Sequence, residues 1–421
     1  MRWPPKSWKS CNPIARPDLL RPEQHPAASL FVPGGAAIDI RYRITGYDGF
    51  VQPGHPLWQK SLPSMNRAAR LSASADGATS KVITHAEYFE AVRAYLTGAG
   101  RSHIQQALAA HFPQNETLFE PARMDVVLEK HGEFYHPARI DILIYERSIS
   151  LVLNVAVTPA GGDCMASEVA ALGRVAPRLP PGTIPMVYGH AEVPGPSNLT
   201  MPMFLADWFN GFHEFHLSIN PRDGRQGMVV WDTQDRPFYL SEQQQADVHR
   251  QVAFLLTRAY DPDTTDQVYP WHHAAGDFIV RISDASVVLR LITVRQYAPT
   301  LGGGDKGLDD EARLMALLVF FLNLTLRNRI DRLDGTGDMA WAGSRAVAAT
   351  VRGAIEALSM ALKRKLVDFL NSYDVSELMN VLRMVADRYA LMPMEKDLIR
   401  AHLASHGEQL AAALQAVRHN P

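Results

Sequence analysis

VYPWHHAAGDFIVRI, residues 268–282, places two adjacent histidines, a small-residue turn and an aspartate directly ahead of an apolar run. The β-branched residues Ile279, Val280 and Ile282 in that run specify a strand, and VVLRLITV (287–294) supplies its hairpin partner. His272, His273 and Asp277 therefore belong to a loop that leads into a buried strand. Polar side chains at such a place have two uses. They cap the turn by hydrogen-bonding backbone groups, or they act on a molecule held beside it.

On either side of this hairpin the chain changes character. SEQQ (241–244) is a capping box, in which the Ser and Gln side chains satisfy free amides at the start of a helix that runs to about Tyr260. From Asp310 onward the pattern is almost wholly helical, with apolar residues at three-to-four spacing. Upstream, THAE (84–87) is a second capping box, and its helical pattern reaches about Phe112 with a break near Gly98 and Gly100. RMDVVLEK, RIDILIYE and SLVLNVAVT then read as short strands, ASEVAALGRVAPRL (166–179) as a helix ended by PPG, and PMVYGHAEV and MPMFLADWF as two further strands. Residues 1–83 are dense in proline and small polar residues, with only AIDIRYRI (37–44) alternating like a strand. They read as a disordered or extended arm. The expected organisation is this arm, a β-rich lobe over 84–210, and a mainly helical lobe over 211–421 with a cleft where the lobes meet.

Composition narrows the function. The chain has 421 residues, 47% of them hydrophobic and 20% charged, which suits a large buried core. Lysine plus arginine (42) nearly balance aspartate plus glutamate (44), so whole-chain charge gives no argument for nucleic acid or an anionic membrane as partner. Two cysteines, Cys11 and Cys164, are too few for a disulfide scaffold or a cysteine-built metal centre, and a reducing, cytoplasmic setting is expected. The start MRWPPKSWKSCNP lacks the apolar segment of a secretory signal, and LMALLVFFLNLTL (314–326) is too short to span a bilayer.

The strand, helix and loop order over residues 122–370 resembles the protein-kinase-like fold, in particular its bacterial branch of aminoglycoside and choline phosphotransferases. The fold class expected is α+β, two-lobed, with a small antiparallel sheet in the first lobe. The resemblance implies ATP and magnesium as cofactors, and an unidentified small molecule or protein as phosphoryl acceptor. It places Asn154 of LVLNVAV where the family carries a phosphate-gripping lysine, and Glu168 of ASEVAAL where that lysine's glutamate partner stands. Asp207 and Trp208 fall at the nucleotide-binding hinge. In the opening stretch His272 takes the place of the catalytic aspartate, Asp277 that of the metal-binding asparagine, and Thr293 that of the later magnesium-binding aspartate.

Phosphoryl transfer needs cations to neutralise developing charge and a group that orients the acceptor hydroxyl. An imidazole near neutrality serves as such a base, and Asp277, Asp284 or Asp232 offers carboxylate oxygen to magnesium. Without the lysine, Arg281, Arg290 or Arg295 is left to grip phosphate. Two readings follow: a divergent ATP-dependent phosphotransferase with His272 as base and Asp277 as metal ligand, or a pseudokinase that binds a protein partner or regulates without catalysis.

Other stretches are weaker. HEFH (213–216) puts two histidines on one face only if it is helical, and with HGEFYH (131–136) and His272/His273 it raises a metal site. GGGD (302–305) lacks the lysine and hydroxyl ending of a phosphate loop and reads as a linker. DRLDGTGD (331–338) lacks the closing glutamate of a calcium loop and reads as a turn between helices. KRK (363–365) reads as the solvated face of a helix, and Cys164 as part of a turn.

Overall fold

The computed structural model describes residues 38–63, 83–112, 121–132, 134–144, 146–195, 199–231, 237–284, 286–301 and 307–419. Cys11, Asp232, the GGGD stretch and most of the proline-rich segment lie outside these. The chain forms two compact units, one of residues 1–169 with 187–208, the other of residues 170–186 with 209–421.

The first unit is built on a six-stranded sheet of β1 (Asp39–Ile44), β2 (Arg123–Leu128), β3 (Ala138–Ile144), β4 (Arg147–Val155), β5 (Val187–Pro194) and β6 (Thr200–Asp207), ordered β1-β2-β3-β4-β6-β5. β1 runs parallel to β2 and the other neighbours are antiparallel. Period-two alternation decides the faces: Ala138, Ile140, Ile142 and Ile144 of β3 are buried while the residues between them are not. Helices α1 (His85–Thr97) and α2 (Arg101–His111) bring Tyr88, Phe89, Tyr95 and Leu108 into the same core. The THAE capping box forms as read, with Thr84 and Glu87 each capping the other's backbone amide. The helical pattern breaks between Thr97 and Arg101, at the two glycines.

The arm expected over 1–83 does not describe residues 38–63. Val51, Trp58 and Leu62 enter the first unit's core beside Tyr42 and Phe89. The Trp58 ring stacks 5.7 Å from Phe89, and backbone bonds Leu62 N to Ile83 O and Ala86 N to Trp58 O hold the segment against the start of α1. These apolar residues sit singly between prolines in irregular backbone, so they leave no period in the sequence.

α3 (Pro159–Val175) begins seven residues ahead of the expected start at Ala166 and absorbs the GGD read as a turn, so Cys164 is helical. The cause is local. Thr158 Oγ1 accepts the Gly161 amide at 3.1 Å and Pro159 sits where its missing N–H costs nothing.

The second unit opens with a three-stranded sheet of β7 (Phe215–Ile219), β8 (Gln226–Val230) and β9 (Phe238–Tyr239). HEFH is therefore strand and its entry, not a helix that presents both imidazoles on one face. Helix α4 (Glu242–Ala259) starts at the Ser241–Gln244 capping box. Two hairpin-like pairs follow, β10 (Asp266–Val268) with β13 (Tyr297–Pro299), and β11 (Phe278–Ser283) with β12 (Ser286–Leu291). Then come α5 (Asp310–Arg327), the small pair β14 (Ile330–Arg332) and β15 (Met339–Trp341), and α6 (Arg345–Ala357), α7 (Met360–Asn371), α8 (Val375–Tyr389) and α9 (Pro393–His419). DRLDGTGD is thus mostly the β14–β15 hairpin. α4 and α6 approach closely because Gly353 has no side chain: a Cβ there would lie 2.0 Å from the Arg250 carbonyl oxygen. Among the described residues no helix is long and apolar enough to cross a membrane.

Trp58→Ala removes a ring buried in the first unit's core and is expected to destabilise it by about 3–5 kcal/mol. Denaturant unfolding measures this, and an unchanged midpoint would return residues 38–63 to the role of a loose arm.

Candidate functional site

Strand pairing explains why the opening stretch has a fixed shape. β10 pairs with β13 and β11 with β12, and the backbone bonds Tyr269 N to Gln296 O (3.2 Å) and Ile292 N to Asp277 O (2.9 Å) extend both ladders. The loop 269–277 is thereby laid beside residues 292–296. Gly276 closes its turn at φ 67°, with its amide donating to His273 O. A Cβ there would meet the Glu214 carboxylate at 2.7 Å, so the position needs glycine twice over.

Asp277 is 1% exposed, and its carboxylate serves the loop itself. Oδ2 accepts the His272 backbone amide at 2.8 Å and Arg295 Nη1 at 2.6 Å. Oδ1 lies 2.6 Å from Arg295 Nη2, as an ionic contact without hydrogen-bond alignment. One guanidinium therefore faces both carboxylate oxygens.

The two histidines part company. The His273 ring is buried, with Nε2 3.1 Å from Asn328 Oδ1 and its faces against Phe215, Trp271 and Phe278. Burial lowers its pKa. His272 is held by Arg327 at the end of α5, whose Nη2 lies 3.0 Å from Nδ1 and 3.2 Å from Nε2. Burial, then the charges of Arg327 and Arg295, push this imidazole down to about 2. It is neutral at any physiological pH and a far weaker base than proton abstraction at neutrality requires. Arg327 is itself buried, paired with Glu395 of α9 at 3.2 Å and donating to the carbonyls of Trp271 and Tyr389.

A second buried cluster adjoins His273. Asn328 donates to His249 O and Thr350 Oγ1, both at 2.8 Å. Asp331 accepts the Leu217 amide at 2.8 Å and lies 3.6 Å from His216. Burial alone would lower His216, but Asp331 and Glu214 outweigh it and lift the imidazole to about 9. Among the described residues no group of three His, Cys, Asp or Glu side chains is placed to hold a metal ion. Asp277, with both oxygens on Arg295, does not fit a magnesium ligand in this arrangement.

Asn154, Glu168, Asp207 and Trp208 lie in the first unit, and Thr293 in the second. Asn154 is half-buried on β4 opposite Phe204 of β6, and Glu168 is buried on α3. Asp207 ends β6, where Tyr188 Oη donates to it at 2.5 Å and His111 Nε2 lies 3.3 Å away. The Arg139 guanidinium covers the Trp208 ring at 5.6 Å. Thr293 follows β12 in the irregular segment that carries Arg295 past Asp277. Sequence reasoning missed Arg327 and Glu395, which are 68 positions apart. The available signal was an arginine that ends the long buried run of α5, residues 316–327.

No protein-family model matches the chain, and no curated protein matches it. Among solved structures it is similar to WaaP in complex with acyl carrier protein, at 10% identity and TM-score 0.31 over 60% of this chain and 86% of that one. It is also similar to a mutant Neurospora crassa PAN3 pseudokinase, at 10% identity and TM-score 0.24 over 74% of this chain and 75% of that one. A third is the Drosophila melanogaster PAN3 pseudokinase, at 11% identity and TM-score 0.23 over 71% and 69%. Likeness at this level does not carry function across.

Arg295→Ala leaves a buried carboxylate without its cation and is expected to cost about 3–5 kcal/mol, read by urea unfolding. An Asp277→Asn, Arg295→Ala double variant that is no less stable than either single variant would identify the pair as a coupled unit; additive losses would refute this. The depressed His272 pKa sets a pH dependence. The unfolded imidazole takes up a proton below about 6.5 while the folded one stays neutral to about 2, so its contribution is complete above 6.5 and falls with acidification. His272→Gln should therefore flatten the loss of stability between pH 6 and 4 by about 1.4 kcal/mol per pH unit. Parallel curves for the two proteins would show that the ring titrates normally.

Proposed function

We propose that this chain is a kinase-like binding module that works without catalysis, a pseudokinase, and not an ATP-dependent phosphotransferase. The order of elements supports the kinase-like part. A strand bearing Asn154, a helix bearing Glu168, two strands ending at Asp207, and, after a three-stranded sheet, a long helix and a loop set between two strand pairs come in the order the resemblance implies.

The observation that carries the non-catalytic part is the Asp277–Arg295 ion pair. A magnesium-bound nucleotide requires carboxylate oxygen directed to the metal and cationic groups directed to the phosphates. Here a cation and a carboxylate from the same loop region satisfy each other. An amide stands at the lysine position, a hydroxyl at the later aspartate position, and the imidazole proposed as base is held by Arg327. Phosphoryl transfer to a small molecule or protein would require both pairs to open, leaving the buried Asp277 carboxylate without its cation, against the Coulomb attraction that holds it. Binding and regulation of a protein partner require neither.

Thermal melting with ATP, with and without magnesium, tests the proposal, together with phosphoryl transfer from labelled ATP to the chain itself. The expected result is no magnesium-dependent rise in Tm and no transfer. Label incorporation that disappears in a folded His272→Gln variant would overturn the proposal in favour of the enzyme.

A further inference from the structure

Within the second unit, two arginines stand together without a carboxylate partner among the described residues. Arg281 on β11 and Arg290 on β12 share one face of the hairpin, since Ile279 pairs with Arg290 and Arg281 lies two residues further along the strand. Among the described residues neither guanidinium enters an ion pair with Asp or Glu. Like charges at neighbouring positions across a strand pair are unfavourable. The Arg281 charge and burial together lower the pKa of Arg290, with burial the larger effect.

A turn holds them there. His213 forms a two-bond bridge to Val280 of β11, with N–O distances of 2.8 and 2.9 Å, and Gly211 bends the preceding chain at φ 72°. This sets the Phe212 ring 4.8 Å from the Arg281 guanidinium carbon and 5.1 Å from that of Arg290, with Phe209 5.8 Å from Arg290. Ring faces are a partial counterpart to a cation, and they restrict the side chains without consuming all their donors. Arg290 Nη1 donates to the Leu289 carbonyl, while its buried Nε has no hydrogen-bond partner.

Arg290 also lines an open hollow of about 230 Å³ with Thr183, Arg250, Gln251 and Leu289. The other polar groups there are already engaged. Arg250 is paired with Asp247 and Glu356, Gln251 bonds to Asp247 and to the backbone of Val287 and Leu289, and Thr183 donates to Pro180 O. The unmet bonding capacity is therefore cationic and sits at the arginine pair.

We infer that Arg281 and Arg290, set by Phe209 and Phe212, form a binding site for a small phosphate-class oxyanion on the face of the β11–β12 hairpin. A dianion would relieve the mutual repulsion and accept bidentate hydrogen bonds from two planar guanidiniums, chemistry that a lysine pair supplies less well. The site stands apart from the Asp277 question: it needs no magnesium and no kinase-like reading, because every residue in it belongs to the second unit.

The test is calorimetric titration of the full chain with inorganic phosphate and, separately, pyrophosphate, at low ionic strength. Saturable binding is expected for at least one of them. Arg281→Ala with Arg290→Ala should weaken it by about tenfold or more, whereas Arg352→Ala, at an exposed position on α6, should not. Phe212→Leu keeps both charges but loosens them, and should give an intermediate affinity. Arg281 is itself exposed, so Arg281→Gln alone serves if the double variant fails to fold. Absence of binding by both anions, or equal affinity in the wild-type chain and the arginine variants, would overturn the site. Preference for pyrophosphate points to a ligand with linked phosphates; equal affinity for the two anions points to a single phosphate group.

Discussion

Arg327 is a guanidinium with almost no access to water, and the centre of the second unit is arranged to satisfy it. Its side chain is 2% exposed, and removing a cation from water costs several kcal/mol unless charge and hydrogen bonds replace the lost hydration. The replacements come from distant parts of the chain: Glu395 at the start of α9, the Tyr389 carbonyl at the end of α8, the Trp271 carbonyl and the His272 ring in the loop. Tyr269 and Trp271 cover it with their faces at 5.5 and 5.9 Å. One buried charge thus fixes the end of α5, the α8–α9 junction and the loop in a single arrangement, because shifting any one of them would strand it.

The same logic governs the loop. A carboxylate at position 277 and an imidazole at position 272 suggest a metal ligand and a base when considered alone. In the folded unit each meets an arginine first. Arg295 binds both oxygens of Asp277, and Arg327 faces both ring nitrogens of His272. Both polar groups thus cross-link the loop to distant segments, while Arg281 and Arg290, which form no ion pair among the described residues, face the Phe212 ring.

Much of the fold was legible wherever the physics is local. Capping boxes at Thr84 and Ser241 form because a side chain three residues away satisfies a free amide. The alternation of β3 and β4 and the break at Gly98–Gly100 needed no distant partner. Local reading failed where irregular backbone buries isolated residues, as at Trp58, and where a threonine cap and Pro159 extend a helix across glycines. HEFH, whose two histidines would share a face only in a helix, instead bridges to Val280 and pairs with β8.

The sequence by itself determined the alternation of strands and helices, the hairpin after residue 277, and the residue types available to the loop, because periodicity and capping act over a few positions. It also set an amide at position 154, an imidazole at 272 and a hydroxyl at 293. Only the tertiary structure decided what the remaining charges do. Asp277 and Arg295 lie 18 positions apart, His272 and Arg327 55, and Arg327 and Glu395 68. Coulomb attraction in a buried site depends on distance through space and on the exclusion of water, and neither is written in the order of residues along the chain.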